Sequence, residues 1–120
     1  MKYMVMMFGE AASMLEVRPK EWVTEMIGFM TALNEELTSS GELVDARGLT
    51  DGSQAKLVRR EPEGGTVVTD GPFAESKESL VGFWLLDVET EERVLEIAGR
   101  IVEYSGVVEV RRVADAPPEV

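Results

Sequence analysis

Very few side-chain types are available for chemistry in this chain. Of its 120 residues none is histidine and none is cysteine. That removes the usual acid/base group near neutral pH, the commonest metal ligand, the thiolate nucleophile and the disulfide. A zinc enzyme and a Ser-His-Asp hydrolase are excluded, and proton transfer falls to carboxylates, Lys, Tyr or bound water. The stretch that concentrates such groups is Thr69-Asp70-Gly71-Pro72-Phe73-Ala74-Glu75-Ser76-Lys77-Glu78, with four charges, an aromatic ring and turn residues in one run. Asp70 can accept backbone N–H groups ahead of it, Gly71 permits unusual φ, and Pro72 fixes φ, so the run reads as a rigid turn.

Two readings of Asp70 stand side by side. It is a turn-capping carboxylate, or it is a general base, a role open to a carboxylate whose charge is disfavoured by apolar neighbours, here Phe73, Phe83 and Trp84. Glu78 would assist proton transfer and Lys77 would hold an anionic group, although Glu75, Lys77 and Glu78 also read as a solvated charged run. Phe73 is a hydrophobic anchor, and Tyr3 and Arg47 lie on strand positions that can look into the same cleft. Neither metal nor cofactor is expected, because no phosphate loop, dinucleotide fingerprint or EF-hand spacing is present.

Positioning these residues requires a sheet and helices. Lys2 to Phe8 is a compact apolar run closed by Gly9 and predicts a strand. Pro19 stands where a first helical position would be, and Trp22, Met26, Phe29, Met30, Leu33 and Leu37 then recur at helical spacing up to Gly41, a C′ glycine. Leu43 to Leu49, Ala55 to Arg60 and Thr66 to Thr69 are short extended pieces separated by Asp51-Gly52 and Glu63-Gly64-Gly65, and they read as an antiparallel meander. Leu80 to Val88 is a long apolar strand. Thr90 offers an N-cap to a second helix with Glu91 and Glu92 in its first turn and a buried face of Val94, Ile97, Ala98, Ile101 and Val102. Gly106 stops it, and Val107 to Val113 makes a last strand. The order is that of an α+β, ferredoxin-like split βαβ fold with an extra hairpin. Residues 1–115 are expected to form one domain, with a frayed tail over 116–120.

Charge and patterning bound the partners. The net charge of −11 would repel a phosphate backbone, so nucleic acid is not an expected partner. With no apolar run of eighteen residues and no cleavage site after the opening segment, neither a membrane span nor a signal peptide is expected, and the absence of cysteine fits the cytoplasm. The seven methionines read as adaptable core filler or as the lining of a pocket. In the long strand Val81, Phe83 and Leu85 alternate with Leu80, Gly82, Trp84, Leu86 and Val88, so both faces are apolar, as they are in the first strand. Helices can cover only one face of such a sheet, and the other calls for a second copy or a ligand. A homodimer is the expectation.

The segment from Thr69 to Glu78 closely resembles the signature of the YCII-related family, in particular its DGPF branch. The opening Met1-Lys2-Tyr3-Met4, the pairs Gly48-Leu49 and Gly82-Phe83, and the closing Val108-Glu109-Val110-Arg111 fall where that family has similar residues. The resemblance implies a dimeric α+β barrel in which two ferredoxin-like sheets pack face to face. Some relatives resemble cofactor-free lyases built on a His-Asp pair, which a chain without histidine cannot use. The expected function is therefore that of a small-molecule-binding protein or a cofactor-free lyase or isomerase, with a pocket beside the Asp-Gly-Pro-Phe loop. The alternative is a non-catalytic dimeric module, because genes of this branch are often found with sigma-factor-like regulators.

Overall fold

The computed structural model describes residues 1–9, 18–71 and 79–118. Among the described residues six strands and two longer helices follow one another as β1 (Lys2–Gly9), α1 (Lys20–Ser39), β2 (Leu43–Gly48), a 3-10 turn (Gly52–Gln54), β3 (Lys56–Arg60), β4 (Thr66–Asp70), β5 (Ser79–Asp87), α2 (Glu91–Ser105) and β6 (Glu109–Arg112). β2, β5, β1 and β6 lie side by side in one antiparallel sheet, while β3 and β4 form a separate two-stranded sheet. This is the ferredoxin-like α+β order with a hairpin inserted after the second strand. The two strands that are apolar on both faces, β1 and β5, are the central pair.

The expected meander is corrected by this pairing. β2 pairs with β5, and only β3 and β4 pair with each other. Their hairpin turn is closed by Glu61 N–H donating to Gly65 O at 3.0 Å and Gly64 N–H to Glu61 O at 3.1 Å. Val58 and Val68 face each other across the hairpin and stay exposed.

Local signals end the helices where they were expected. After α1, Gly41 takes a φ of +80°, open to glycine without strain. Its N–H donates to Thr38 O at 3.1 Å and that of Glu42 to Leu37 O at 2.9 Å, which is a Schellman closure. Pro19 sits one position before the first helical residue rather than at it. At the start of α2 the Thr90 hydroxyl accepts the Arg93 N–H at 3.1 Å.

One face of the sheet carries the core. Register partners share a face, so Leu43, Leu86 and Tyr3 form one row, and Ala46, Trp84, Val5 and Val110 the next. Against these pack Leu33 and Leu37 of α1 and Val94, Ile97, Ala98 and Ile101 of α2. Tyr104 ties the helices together, with its ring 4.9 Å from that of Phe29 and 5.6 Å from that of Trp22.

A charged clamp joins the start of β2 to α2. Arg93 donates through Nε and Nη2 to the Glu42 carboxylate, both at 2.8 Å, and the Ser40 hydroxyl adds a third bond at 2.7 Å. The Arg93 fork, helped by Ser40, lowers the Glu42 pKa from 4.5 to about 2 against the opposing pull of partial burial. A depressed folded-state value contributes stability that is complete above the unfolded value near 4.5 and is lost as pH falls toward 2. Glu42→Gln should therefore cost on the order of 2 kcal/mol at neutral pH and flatten the acid side of the stability profile. Urea denaturation between neutral and acid pH checks this, and parallel profiles for variant and parent would remove the clamp from the stability of the fold.

Candidate functional site

Three rows down the helix-facing side of the sheet the side chains run out. Gly48 pairs with Gly82, which pairs with Met7. Beside this row a cavity of about 350 Å³ lies beneath α1, bordered by Met26, Met30 and Asn34 of the helix and by Met7, Gly48, Val81 and Trp84 of the sheet. The glycines differ in what they permit. A Cβ on Gly82 would stand 3.2 Å from Arg47 O of the neighbouring strand, whereas one on Gly48 would meet nothing within 4 Å. Gly82 lets β2 approach, and Gly48 leaves the space open.

Polar side chains are sparse in this cavity. Trp84, 5% exposed, donates its indole Nε1–H to Asn34 Oδ1 at 2.8 Å. Arg47 and Phe83 also border the cavity, but alternation settles what they contribute. Ala46 pairs with Trp84 on the core face, so Arg47, paired with Phe83, projects to the opposite face. There its Nε sits 3.1 Å from Asp45 Oδ1. Alternation thus directs the side chains of Arg47 and Phe83 to the open face.

Of the expected site residues Arg47 borders this cavity, whereas Tyr3 and Asp70 do not. Tyr3 is a core residue, 6% exposed, in the row of Leu86 and Leu43 at the far end of the sheet. Asp70 ends β4 with its side chain 83% exposed, ion-paired with its cross-strand partner Lys56. The apolar enclosure that a general base requires is not around it among the described residues. As an exposed pair, Asp70 and Lys56 contribute little, so Asp70→Ala should change the urea-unfolding free energy by less than about 0.5 kcal/mol. A loss several times larger would make Asp70 a structural cap after all. Phe73, Lys77 and Glu78 lie outside the described residues.

Gly71 is explained by space rather than by unusual φ. Its φ is not in the left-handed region, and a Cβ there would come within 3.2 Å of Leu57 Cγ.

Asn34 and the glycine pair are not among the residues that the charged run brings to notice. A signal for Asn34 exists, since it continues the Met26–Met30 spacing on the apolar stripe of α1, where a polar side chain needs a reason. The expected face alternation of β5 also breaks, because a register shift between Met7 and Phe8 sets Leu80 opposite Phe8 and leaves Val81 without a register partner in β1.

A four-stranded ferredoxin-like sheet, α1 and α2 packed on one face and a methionine-lined cavity beneath α1 define a small α+β protein with a binding-sized hollow. The YCII-related domain matches residues 1–117, and the chain belongs to that family. It is also 31% identical over 98 residues to the uncharacterized protein R00369 of Rhizobium meliloti (strain 1021), an alignment covering 82% of this chain and 77% of that protein. Among the described residues no helix is long and apolar enough to cross a membrane.

Proposed function

We propose that this protein binds a small molecule in the cavity between α1 and the sheet, and that it does so as a homodimer closed through the sheet's other face. The observation that carries the binding reading is the cavity of about 350 Å³ bordered by Gly48, Met7, Trp84 and two further methionines, which falls within the size range of ligand sites. Binding is favoured over cofactor-free lyase or isomerase chemistry because the described lining presents no carboxylate, lysine or tyrosine to move a proton. A ligand-holding dimer without catalysis is also what a regulatory module would need. The segment 69–78 supports the DGPF branch, and a cysteine-free chain suits the cytoplasm.

Gly48→Val tests the cavity. The new side chain enters open space on a strand, where valine is favoured over glycine, so stability should hold or rise by about 0.5–1 kcal/mol. Uptake of small aromatic probes, followed by the Trp84 indole N–H signal in NMR, should fall about tenfold or more as the hollow fills. Equal uptake by variant and parent would refute the cavity as the binding site.

The dimer rests on the open face. Its two central rows read Arg47, Phe83, Met6, Glu109 and Asp45, Leu85, Met4, Arg111. Four half-buried apolar side chains thus sit inside four charged corners whose signs alternate. Turning a copy over about an in-plane two-fold axis, parallel or perpendicular to the strands, brings every corner opposite a charge of the other sign. Such a self-complementary patch is what an isologous interface requires.

A further inference from the structure

Resting on the cavity reading above, we propose that the ligand is an uncharged, mainly apolar molecule of on the order of ten non-hydrogen atoms that carries one acceptor oxygen, as a ketone, ester or ether does. The size follows from about 350 Å³ of space shared out at roughly 30 Å³ per water-sized unit. Met7, Met26 and Met30 make the walls apolar and adaptable, so shape is loosely specified and polarity tightly.

Asn34 sets the polarity. An indole N–H can only donate, so the Trp84 bond fixes Oδ1 of Asn34 as the accepting end and leaves Nδ2, a donor, as the end to offer a ligand. A donor asks for an acceptor.

Charge is disfavoured in both signs. The Arg47 guanidinium, the one cation bordering the cavity among the described residues, is turned to the other face beside Asp45, so an anion would enter an apolar hollow without a counter-charge and against a net charge of −11. A cation would find no carboxylate in the described lining and would face the Nδ2 donor. The ligand proposed for this cavity is thus neutral, unlike the anionic group that Lys77, outside the described residues, was expected to hold.

The test uses four probes of similar size, acetophenone, ethylbenzene, benzoate and benzylamine, titrated into the parent protein. The two indole N–H signals are followed by NMR and assigned with Trp22→Phe. Acetophenone should saturate the Trp84 shift at concentrations about tenfold or more below benzoate and benzylamine. Asn34→Asp keeps an oxygen for the Trp84 indole but replaces the Nδ2 donor by an acceptor. It should reduce acetophenone to the level of ethylbenzene and strengthen benzylamine. Benzoate binding as well as or better than acetophenone, or an Asn34→Asp variant with an unchanged probe order, would overturn the neutral-acceptor class. If Gly48→Val still abolished binding in that case, the cavity reading would survive alone. A Trp84 signal that no probe moves would overturn both.

Discussion

In sedimentation velocity, Met6→Asp should convert the protein from dimer to monomer, weakening self-association by about a hundredfold or more. An isologous interface repeats every substitution, so each dimer loses two buried methionine side chains, on the order of 3 kcal/mol before the cost of burying two carboxylates is added. Met6 is only half-buried in the single chain and lies on the face away from the helices, so the protomer itself should keep its helical circular dichroism. The corners supply a second measurement that does not depend on a tolerated core change. Arg47→Glu sets like charges together and should weaken the dimer. Adding Glu109→Arg restores it if the axis runs parallel to the strands, and adding Asp45→Arg restores it if the axis is perpendicular. A parent that is monomeric at micromolar concentration, or an Arg47→Glu variant that associates as the parent does, would sink the proposed interface.

Trp84→Ala should cost about 3–5 kcal/mol in urea unfolding, the usual range for deleting a large aromatic from a core. Trp84 is the point where core and cavity meet. Its ring is packed between Ala46 and Val5 in the sheet, and its indole N–H is held by Asn34 of α1. Trp84→Phe separates the two contributions, because it keeps most of the apolar contact and deletes the donor. Leaving Asn34 Oδ1 without its indole partner should cost about 1–2 kcal/mol, moderated by the partial exposure of Asn34. An alanine variant within about 1 kcal/mol of the parent would mean that the ring rests on a surface rather than in the core.

Helices are legible in the residues because their signals are local. The spacing of Leu33 and Leu37, the Thr90 cap and the glycines at 41 and 106 all act within a few residues, and each sits where its neighbours require it. The centrality of β1 and β5 is legible for a different reason, since a strand apolar on both sides must be covered on both. Leu43–Gly48 resembles part of a meander because its partner, β5, begins some thirty residues later, beyond the hairpin. Nothing local distinguishes a strand that pairs with its neighbour from one that pairs across an insertion. The charged run from Thr69 is conspicuous by its types, yet Asp70 ends a hairpin strand in solvent.

Short-range periodicity was enough to define most of the elements and the class of fold, composition alone removed histidine and cysteine chemistry, and the motif from Thr69 to Glu78 carried the resemblance to the family. Elements and motif depend on neighbours a few positions apart along the chain. Which side chains share a cavity depends instead on long-range pairing, and only the folded protomer decides it. Gly48, Trp84, Met7 and Asn34 come from four separate elements, and the face each strand residue presents depends on register, in which a shift of one residue sends every side chain to the opposite side.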